Sequence, residues 1–235
     1  MKPAKSRVAI CPHCLETLIF LDEVPTCRIC GCQLDGPEPF CLTCQTHQHY
    51  FTRAVSCFPY KGGVRHAVLQ YKFGGRRDYC RTFSHLLTYR VLPFHKEHPF
   101  DCVVCAPMTK AALAERGYHQ TALMASRVAD ALQIPFLADA LVKTKETKKQ
   151  STLSGYSERF KNVEKAFALS LPKSMFAGKN ILLIDDVLTT GATADALAKI
   201  LDAAEAKRIF VATLAGTQKE LYEPVTEEDE LMVTY

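Results

Sequence analysis

The sequence lacks any apolar run that approaches the ~18 uninterrupted residues of a membrane-spanning helix. It also lacks a secretory signal, because no apolar stretch followed by a cleavage site stands near its first residues. The excess of one charge sign over the other is small: a net charge of +4 over 235 residues is compatible with an anionic partner but does not require one. These absences predict a cytoplasmic protein without a membrane span, and a hydrophobic content of 48% is enough for a proper core.

Cysteine, by contrast, is abundant in one short region. Seven of the 11 cysteines lie between residues 11 and 44, and six of them form CxxC pairs. Because no export signal is present, a metal site is favoured over disulfides. Two facing CxxC knuckles close a tetrahedral thiolate site, and Gly31 suits the left-handed turn that a knuckle often needs. We therefore predict a structural zinc ion on Cys27, Cys30, Cys41 and Cys44.

The pair Cys11/Cys14 has no obvious second knuckle. We predict it as a weaker zinc-binding pair, and the alternative is two free thiols. A redox role would favour a helix start in a βαβ context, which this region does not have. The residues that could complete a second metal site are Cys32, His13, His47 and His49.

A composition change near residue 50 divides the chain into a Cys-rich module, 1–50, and a larger domain, 51–235. In the larger domain, apolar runs that read as strands alternate with helix-like stretches, which predicts an α/β fold with a parallel sheet flanked by helices. Pro93 is expected to end the second helix, and Cys102 and Cys105 are expected to be buried strand thiols. The predicted strands cover 54–60, 101–108, 179–187 and 208–216, and the helices cover 64–73, 79–92, 122–132 and 193–206.

The segment ILLIDDVLTTGAT, residues 181–193, carries the strongest chemical signal. Asp185 and Asp186 stand at the carboxyl end of a buried strand, where open α/β sheets bind ligands. Small residues then lead into a helix, so backbone N–H groups, hydroxyls and the helix N-terminus can hold a phosphate. Carboxylates suit sugar hydroxyls or magnesium, so a ribose 5-phosphate satisfies the whole segment. The predicted phosphate loop comprises Thr189, Thr190, Gly191, Ala192 and Thr193.

A plainer interpretation is a helix cap followed by solvated aspartates, but the full order of residues is more specific than that. The Walker motif is excluded, because no GK[ST] is present. The segment instead resembles the PRPP-binding motif of type I phosphoribosyltransferases. That resemblance implies that the acidic pair holds the ribose hydroxyls, that the loop holds the 5-phosphate, and that magnesium rides on the pyrophosphate.

Three further segments resemble the ComF family of competence-associated proteins within that superfamily. They are the knuckles CPHC, CRICG and CLTC, the segment RGYHQ at 116–120, similar to the family's RGFNQ, and a Q–L–R–N–F pattern within 150–167. The resemblance spans roughly residues 9–216. Departures are His119 for the family's Asn, Tyr118 for its Phe, and Glu205 for its glycine. The Q–L–R–N–F pattern is carried by Gln150, Leu153, Arg159, Asn162 and Phe167.

The resemblance also suggests phosphate partners outside the motif. Lys110 follows a turn at 106–109 that aligns with the pyrophosphate loop, and Arg159 lies in a polar stretch that could cover the ligand. Thr189 stands where purine-salvage members often carry an acid, and no nucleobase pocket is evident. PRPP binding is therefore better supported than turnover, and whether the protein is an enzyme stays open.

A basic and aromatic segment supplies a candidate DNA contact. Lys72, Arg76 and Arg77 lie beside aromatic residues, a combination that suits stacked single strands, although a solvated charged face is the alternative. Together with the ComF resemblance, this predicts a protein that binds PRPP or a related ligand and handles incoming single-stranded DNA during natural transformation. Other competence proteins would be its partners. The alternatives are an active phosphoribosyltransferase of nucleotide metabolism and a PRPP-sensing regulator.

Overall fold

The computed structural model describes residues 10–145 and 160–216. Its helices are α1 (Pro12–Thr17), α2 (Leu42–Thr46), α3 (Gly62–Phe73), α4 (Tyr79–Glu97), α5 (Lys110–Arg116), α6 (Gln120–Leu132) and α7 (Ala192–Asp202). Its strands are β1 (Arg53–Pro59), β2 (Cys102–Cys105), β3 (Leu141–Lys143), β4 (Phe167–Leu169), β5 (Asn180–Leu188) and β6 (Arg208–Gly216). A short 3₁₀ helix covers Lys173–Met175.

Four parallel strands, in the order β1-β6-β5-β2, form the central sheet. Strand β5 lies inside it, with Ile181 paired to both Cys102 and Ile209. The aliphatic run at the start of β5 is fully buried because both faces of the sheet are covered, as a continuous apolar strand requires. The predicted parallel sheet flanked by helices is confirmed. Strands β3 and β4 form a separate antiparallel pair.

Alternation along β5 divides the core between the two faces of the sheet. Leu182 and Ile184 pack into a cluster with residues of α3, α4 and α6. Ile181 and Leu183 pack into a second cluster with α7 and the N-terminal cysteines. The cysteine segment is therefore part of the main core, and it lies on the same face of the sheet as α7. The division of the chain at residue 50 stays a prediction.

Two predicted helix ends are wrong. Helix α4 continues through Pro93 to Glu97 instead of ending there. A proline in a helix loses one hydrogen bond, but Phe94 packs on the core and under the Arg53 guanidinium at 4.7 Å, so tertiary contacts hold the last turn. Helix α7 ends at Asp202, short of the predicted 206, and Glu205 turns the chain with a left-handed φ of 64°. Such a conformation favours glycine, which explains the family's glycine at this position.

The remaining boundaries differ from the predictions by a few residues. The predicted strand at 101–108 is shorter, because 106–109 leave the sheet before α5 begins. Short helices, α1 and α2, also occur in the cysteine region. Within the described ranges, no helix has both the length and the apolarity needed to cross a membrane. The polar stretch predicted to cover the ligand lies mostly outside the described residues.

Candidate functional site

Four thiols of the N-terminal region form a compact buried group. The Sγ atoms of Cys27, Cys30, Cys41 and Cys44 all lie within 4.8 Å of one another. Those of Cys30 and Cys41 are 3.6 Å apart, close to the roughly 3.8 Å that two sulfurs at tetrahedral angles and about 2.3 Å from one zinc ion would show. Hydrogen bonds among the thiols, that of Cys30 foremost, hold the pKa of Cys27 far below its usual range. The group fits one metal ion.

The knuckle after Cys27 depends on a glycine. Gly31 has a φ of 69°, and its N–H donates to the Cys27 carbonyl at 2.9 Å. A Cβ at this position would lie 2.5 Å from the carbonyl oxygen of Ala54 in β1. The absent side chain therefore serves both the turn and the close contact between the cysteine knuckle and the sheet.

The structure does not bring the pair Cys11/Cys14 together with the residues predicted to complete its site. Both thiols are exposed: Cys11 is the N-cap of α1 and Cys14 lies within that helix, and Cys11 Sγ accepts a hydrogen bond from the Cys14 N–H at 3.3 Å. Cys32 instead lies buried beside the four-thiol group. Within residues 10–145 and 160–216, no cluster of three metal-ligating side chains includes Cys11 or Cys14. Cys102 and Cys105 are buried strand thiols, as predicted.

The acidic pair lies within the last residues of strand β5, not beyond its end. Asp185 pairs in register with Thr213 of β6, and Asp186 is almost fully buried. The Asp186 N–H donates to Asp185 Oδ1 at 2.8 Å, so the first carboxylate folds back over the backbone of the second.

Two side chains offset the charge of the pair. Lys72 Nζ, from the last turn of α3, lies 2.8 Å from Asp186 Oδ1. Gln120, the first residue of α6, donates from Nε2 to Asp186 Oδ2 at 3.2 Å. Its Oε1 is buried without a hydrogen-bond partner in the described part of the chain. An acceptor left open beside a carboxylate pair is the kind of group that a ligand hydroxyl satisfies.

The two carboxyls consequently differ in acidity. Burial, and then the neighbouring Asp186, raise the pKa of Asp185 to about 7. Burial opposes ionisation of Asp186 as well, but the charge and hydrogen bond of Lys72 keep its pKa below the usual range. Near neutral pH the pair therefore carries one firm negative charge and one that is easily neutralised. Such a pair can both accept and donate hydrogen bonds to a diol.

The predicted phosphate loop follows directly. Thr189 and Thr190 leave β5, and Gly191 caps α7 with a φ of 86°. The Ala192 N–H lies 3.4 Å from Thr190 Oγ1. Seven residues of the sheet, the loop and the cysteine region line a cavity of about 10 Å³ behind this turn, including Cys32 and Gly191. The cysteine region thus packs behind the phosphate loop and forms its rear wall, with Cys30 and Cys32 lining the cavity between them.

The RGYHQ segment supports the acidic pair from the side. His119 caps α6, because its Nδ1 accepts from the Ala122 N–H at 3.2 Å, the role that the family's Asn can fill. Burial lowers the pKa of His119, which keeps this nitrogen available as an acceptor. Tyr118 donates to the Tyr71 carbonyl, and Tyr71 donates to the Gln120 carbonyl at 2.8 Å. These bonds join α3 to the start of α6 next to Asp186.

The basic residues predicted to contact pyrophosphate or DNA lie in different surroundings. Lys110 is exposed at the start of α5, and Arg159 lies outside the described residues. Arg76 pairs with Asp78 at 2.9 Å, while Arg77 is exposed. Lys72, predicted as a DNA contact, instead has its ammonium on Asp186.

Sequence reasoning missed four side chains at this site: Lys72 as a counter-ion, Gln120, His49 and Asp195. Gln120 had a signal, since it ends the RGYHQ motif. His49 was weighed only as a metal ligand. Asp195 reads as an ordinary polar position of an amphipathic helix, and nothing in the sequence pairs it with a residue so far away.

Comparison with known proteins shows which families this chain is similar to. Residues 120–232 match the family model described as phosphoribosyl transferase domain. The match begins at Gln120 and includes the acidic pair and the phosphate loop.

Relatives cover a larger part of the chain. Competence protein F of Haemophilus influenzae is 26% identical over 195 residues, which are 82% of this chain and 83% of that protein. DNA utilization protein YhgH of Salmonella typhi is 27% identical over 204 residues, 86% and 87% of the two chains. Competence protein ComFC of Streptococcus pneumoniae is 29% identical over 204 residues, 85% and 77%. These relatives and the domain match support the ComF family, within the phosphoribosyltransferase superfamily, for this chain.

Solved phosphoribosyltransferases overlap with part of the structure. A purine phosphoribosyltransferase from Pyrococcus horikoshii has a TM-score of 0.38 at 16% identity, over 62% of this chain and 77% of that one. An adenine phosphoribosyltransferase has a TM-score of 0.36 at 20% identity, over 57% and 71%.

Proposed function

We propose that the chain binds PRPP or a closely related phosphoribosyl ligand at the carboxyl end of β5. The observation that carries the proposal is the order of groups along one segment: a buried carboxylate pair, then a glycine-capped helix N-terminus. Asp185 and Asp186 would hold the ribose hydroxyls, with the open Gln120 Oε1 as an additional acceptor. The 5-phosphate would bind at 189–193, where backbone N–H groups and the α7 N-terminus favour an anion.

The charges at the site favour a ligand with its own metal. Lys72 already occupies one oxygen of Asp186, so this carboxylate is poorly placed to hold a bare cation by itself. Magnesium bound to the pyrophosphate would instead neutralise that group and supply its Lewis acidity. We assign Lys110 and Arg159 as pyrophosphate partners. We assign zinc to Cys27, Cys30, Cys41 and Cys44, and we leave Cys11/Cys14 as a weaker metal pair.

Calorimetry can test ligand binding directly. PRPP with magnesium, ribose 5-phosphate and pyrophosphate would be titrated separately into the protein. We expect PRPP to bind tightest and ribose 5-phosphate to bind more weakly, because only PRPP engages the ribose, 5-phosphate and pyrophosphate positions together. Absent binding of PRPP, or binding no tighter than that of pyrophosphate alone, would refute the proposal.

We further propose a role in competence, in which the protein handles incoming single-stranded DNA and works with other competence proteins. The names of the relatives support this role. A surface feature agrees with it: Phe73 is 40% exposed, and the Arg116 guanidinium lies 4.7 Å from its ring centroid. Such a cation–aromatic pair is a stacking platform for bases. Arg77 is exposed near the same end of α3.

The DNA proposal predicts a specific salt dependence. Binding of a short single strand should weaken steeply with salt, and neutralising Arg76 and Arg77 should lower both the affinity and the slope. Phe73→Ala should reduce affinity with little change in slope, because stacking releases no counterions. If no binding is found at low salt, the proposed contact is wrong.

Turnover is a separate question from binding, since the domain is phosphoribosyltransferase-like and Thr189 replaces the acid of purine-salvage members. Incubation with PRPP, magnesium and a panel of nucleobases would decide it through pyrophosphate release. Release no faster than that of an Asp186→Ala variant would show that the domain binds without transfer.

A further inference from the structure

The cysteine group and the phosphate loop are joined by one buried histidine. His49 lies in the segment between α2 and β1, and its side chain is 1% exposed. Its Nδ1–H donates to Asp195 Oδ2 at 2.5 Å, and its Nε2 lies 3.4 Å from Cys44 Sγ. One imidazole therefore contacts both a predicted metal ligand and the helix that follows the loop.

The other end of this connection is Asp195, in the first turn of α7. Its carboxylate is fully buried, and its second oxygen accepts from the Tyr50 N–H at 2.9 Å. Its own N–H donates to the Gly191 carbonyl at 2.8 Å. Asp195 therefore ties residues 49–50 to the turn that begins the helix.

The histidine also sets the space available to the loop. Its ring stacks on Phe51 with centroids 4.6 Å apart and an interplanar angle of 17°. A Cβ at Gly191 would lie 3.6 Å from His49 Cε1, so the space beside Gly191 admits one side-chain carbon before the ring is reached. A shift of His49 therefore changes the space beside Gly191 and the packing of this turn.

A second metal site on His47, His49 and Asp195 is the competing interpretation, because their ligand atoms lie within 4.8 Å of one another. The distances favour hydrogen bonding. Two ligands held about 2.0–2.1 Å from one tetrahedral ion lie roughly 3.3 Å apart, whereas His49 Nδ1 and Asp195 Oδ2 are separated by 2.5 Å.

We propose that His49 and Asp195 are positioning residues that couple the state of the four-cysteine site to the shape of the phosphate loop. A filled cysteine site holds Cys44, Cys44 holds His49, and His49 holds Asp195 and the turn at Gly191. Loss of the metal releases the rear wall of the loop. The inference rests on the proposed function for its consequence, weaker PRPP binding, but not for the coupling itself.

Hydrogen exchange of the peptide covering 187–196 tests the coupling without any ligand. In zinc-loaded protein these amides should exchange slowly, and treatment with a chelator should accelerate them about tenfold or more. A peptide from α6 serves as the internal control and should not change. Unchanged exchange at 187–196, while the peptide covering 26–33 exchanges faster after chelation, would overturn the inference.

Two variants of His49 separate positioning from general stability. Asn places an amide nitrogen near the position of Nδ1, whereas Gln places one near Nε2. His49→Gln should accelerate loop exchange and weaken PRPP binding about tenfold. His49→Asn keeps the donor to Asp195 but loses the contact with Cys44. Its affinity should therefore stay within about threefold of wild type, and chelation should no longer accelerate exchange at 187–196. Equal effects of both variants would overturn the inference, and the exposed His66→Gln is the control.

Zinc content measured alongside keeps the result decisive. If His49→Gln loses the metal, Asp195→Asn is used as the test variant in its place. That change leaves the contact between His49 and Cys44 and should accelerate hydrogen exchange of the same loop peptide. A loop peptide that does not respond to Asp195→Asn contradicts the coupling. Absence of PRPP binding to wild type would remove the proposed function, whereas the exchange data alone decide the coupling.

Discussion

Removing the counter-ion of the acidic pair, by Lys72→Met, should destabilise the protein more than the loss of a surface charge. The Lys72 and Asp186 side chains are 20% and 10% exposed, with 2.8 Å between Nζ and Oδ1. Exposed ion pairs contribute up to about 1 kcal/mol, and breaking a fully buried pair costs about 3–5 kcal/mol. Because this pair is mostly but not fully buried, we expect a loss of about 2–3 kcal/mol in the free energy of unfolding.

Urea denaturation at pH 8 would measure this loss, with the exposed Lys61→Met as the matched control. The loss should shrink at pH 5. Without Lys72 the pKa of Asp186 in the folded state rises, so the carboxyl can bind a proton and avoid an unpaired buried charge. The double variant Lys72→Met/Asp186→Asn should recover most of the stability but not PRPP binding.

A double-mutant cycle makes the prediction refutable. The coupling energy between Lys72 and Asp186 should be about 2 kcal/mol at pH 8. If Lys72→Met costs no more than Lys61→Met, or if the coupling energy is near zero, then Lys72 does not hold the acidic pair, and its predicted role as a DNA contact regains force.

Three further predictions concern stability and pH. Asp185 has a pKa of about 7 when folded, against about 3.9 when unfolded, so between these pH values the folded state keeps a proton and the free energy of unfolding falls as pH rises. Asp185→Asn should therefore raise the free energy of unfolding by about 1–2 kcal/mol at pH 8 and by much less at pH 5. Equal gains at both pH values would contradict this. Gly31→Ala should lower the free energy of unfolding by about 2–4 kcal/mol and reduce the zinc content, because its Cβ would meet the Ala54 carbonyl at 2.5 Å. The control Gly36→Ala has open space around it and should leave both the melting temperature and the zinc content unchanged. Glu205→Gly should be neutral or stabilising by up to about 1 kcal/mol, since φ is 64° there; a clear loss of melting temperature would show that no strain is relieved.

The sheet could be predicted from the sequence because its signal is local. The run Ile181–Ile184 is apolar on both faces, and such a strand must be covered on both sides. Gly31 was likewise predicted from its place after a CxxC pair, and its φ of 69° confirms the turn. Pro93 was misjudged because the contacts of Phe94 that hold the helix beyond it come from a distant strand.

The electrostatics of the candidate site could be predicted only in part. The sequence poses the problem of two adjacent aspartates but does not identify Lys72 as the solution, because the end of α3 and the end of β5 meet only in the folded chain. Lys72 was predicted as a DNA contact from its basic neighbours, a local pattern that does not reveal its ion pair with Asp186. The link from Cys44 through His49 to Asp195 is equally non-local. Sequence patterns thus predict the elements and the motif, while long-range pairs decide the charges.

The most direct test of the account is the affinity of magnesium-PRPP for wild type, Asp186→Asn and Asp202→Asn, measured by calorimetry at one pH. Asp202 is an exposed carboxylate at the far end of α7 and serves as the matched control. Losing a charged acceptor for the ribose hydroxyls should weaken binding by roughly 10- to 100-fold, so we expect that loss for Asp186→Asn and no change for Asp202→Asn. Wild-type affinity in Asp186→Asn would contradict the claim that this acidic pair and loop form the phosphoribosyl site.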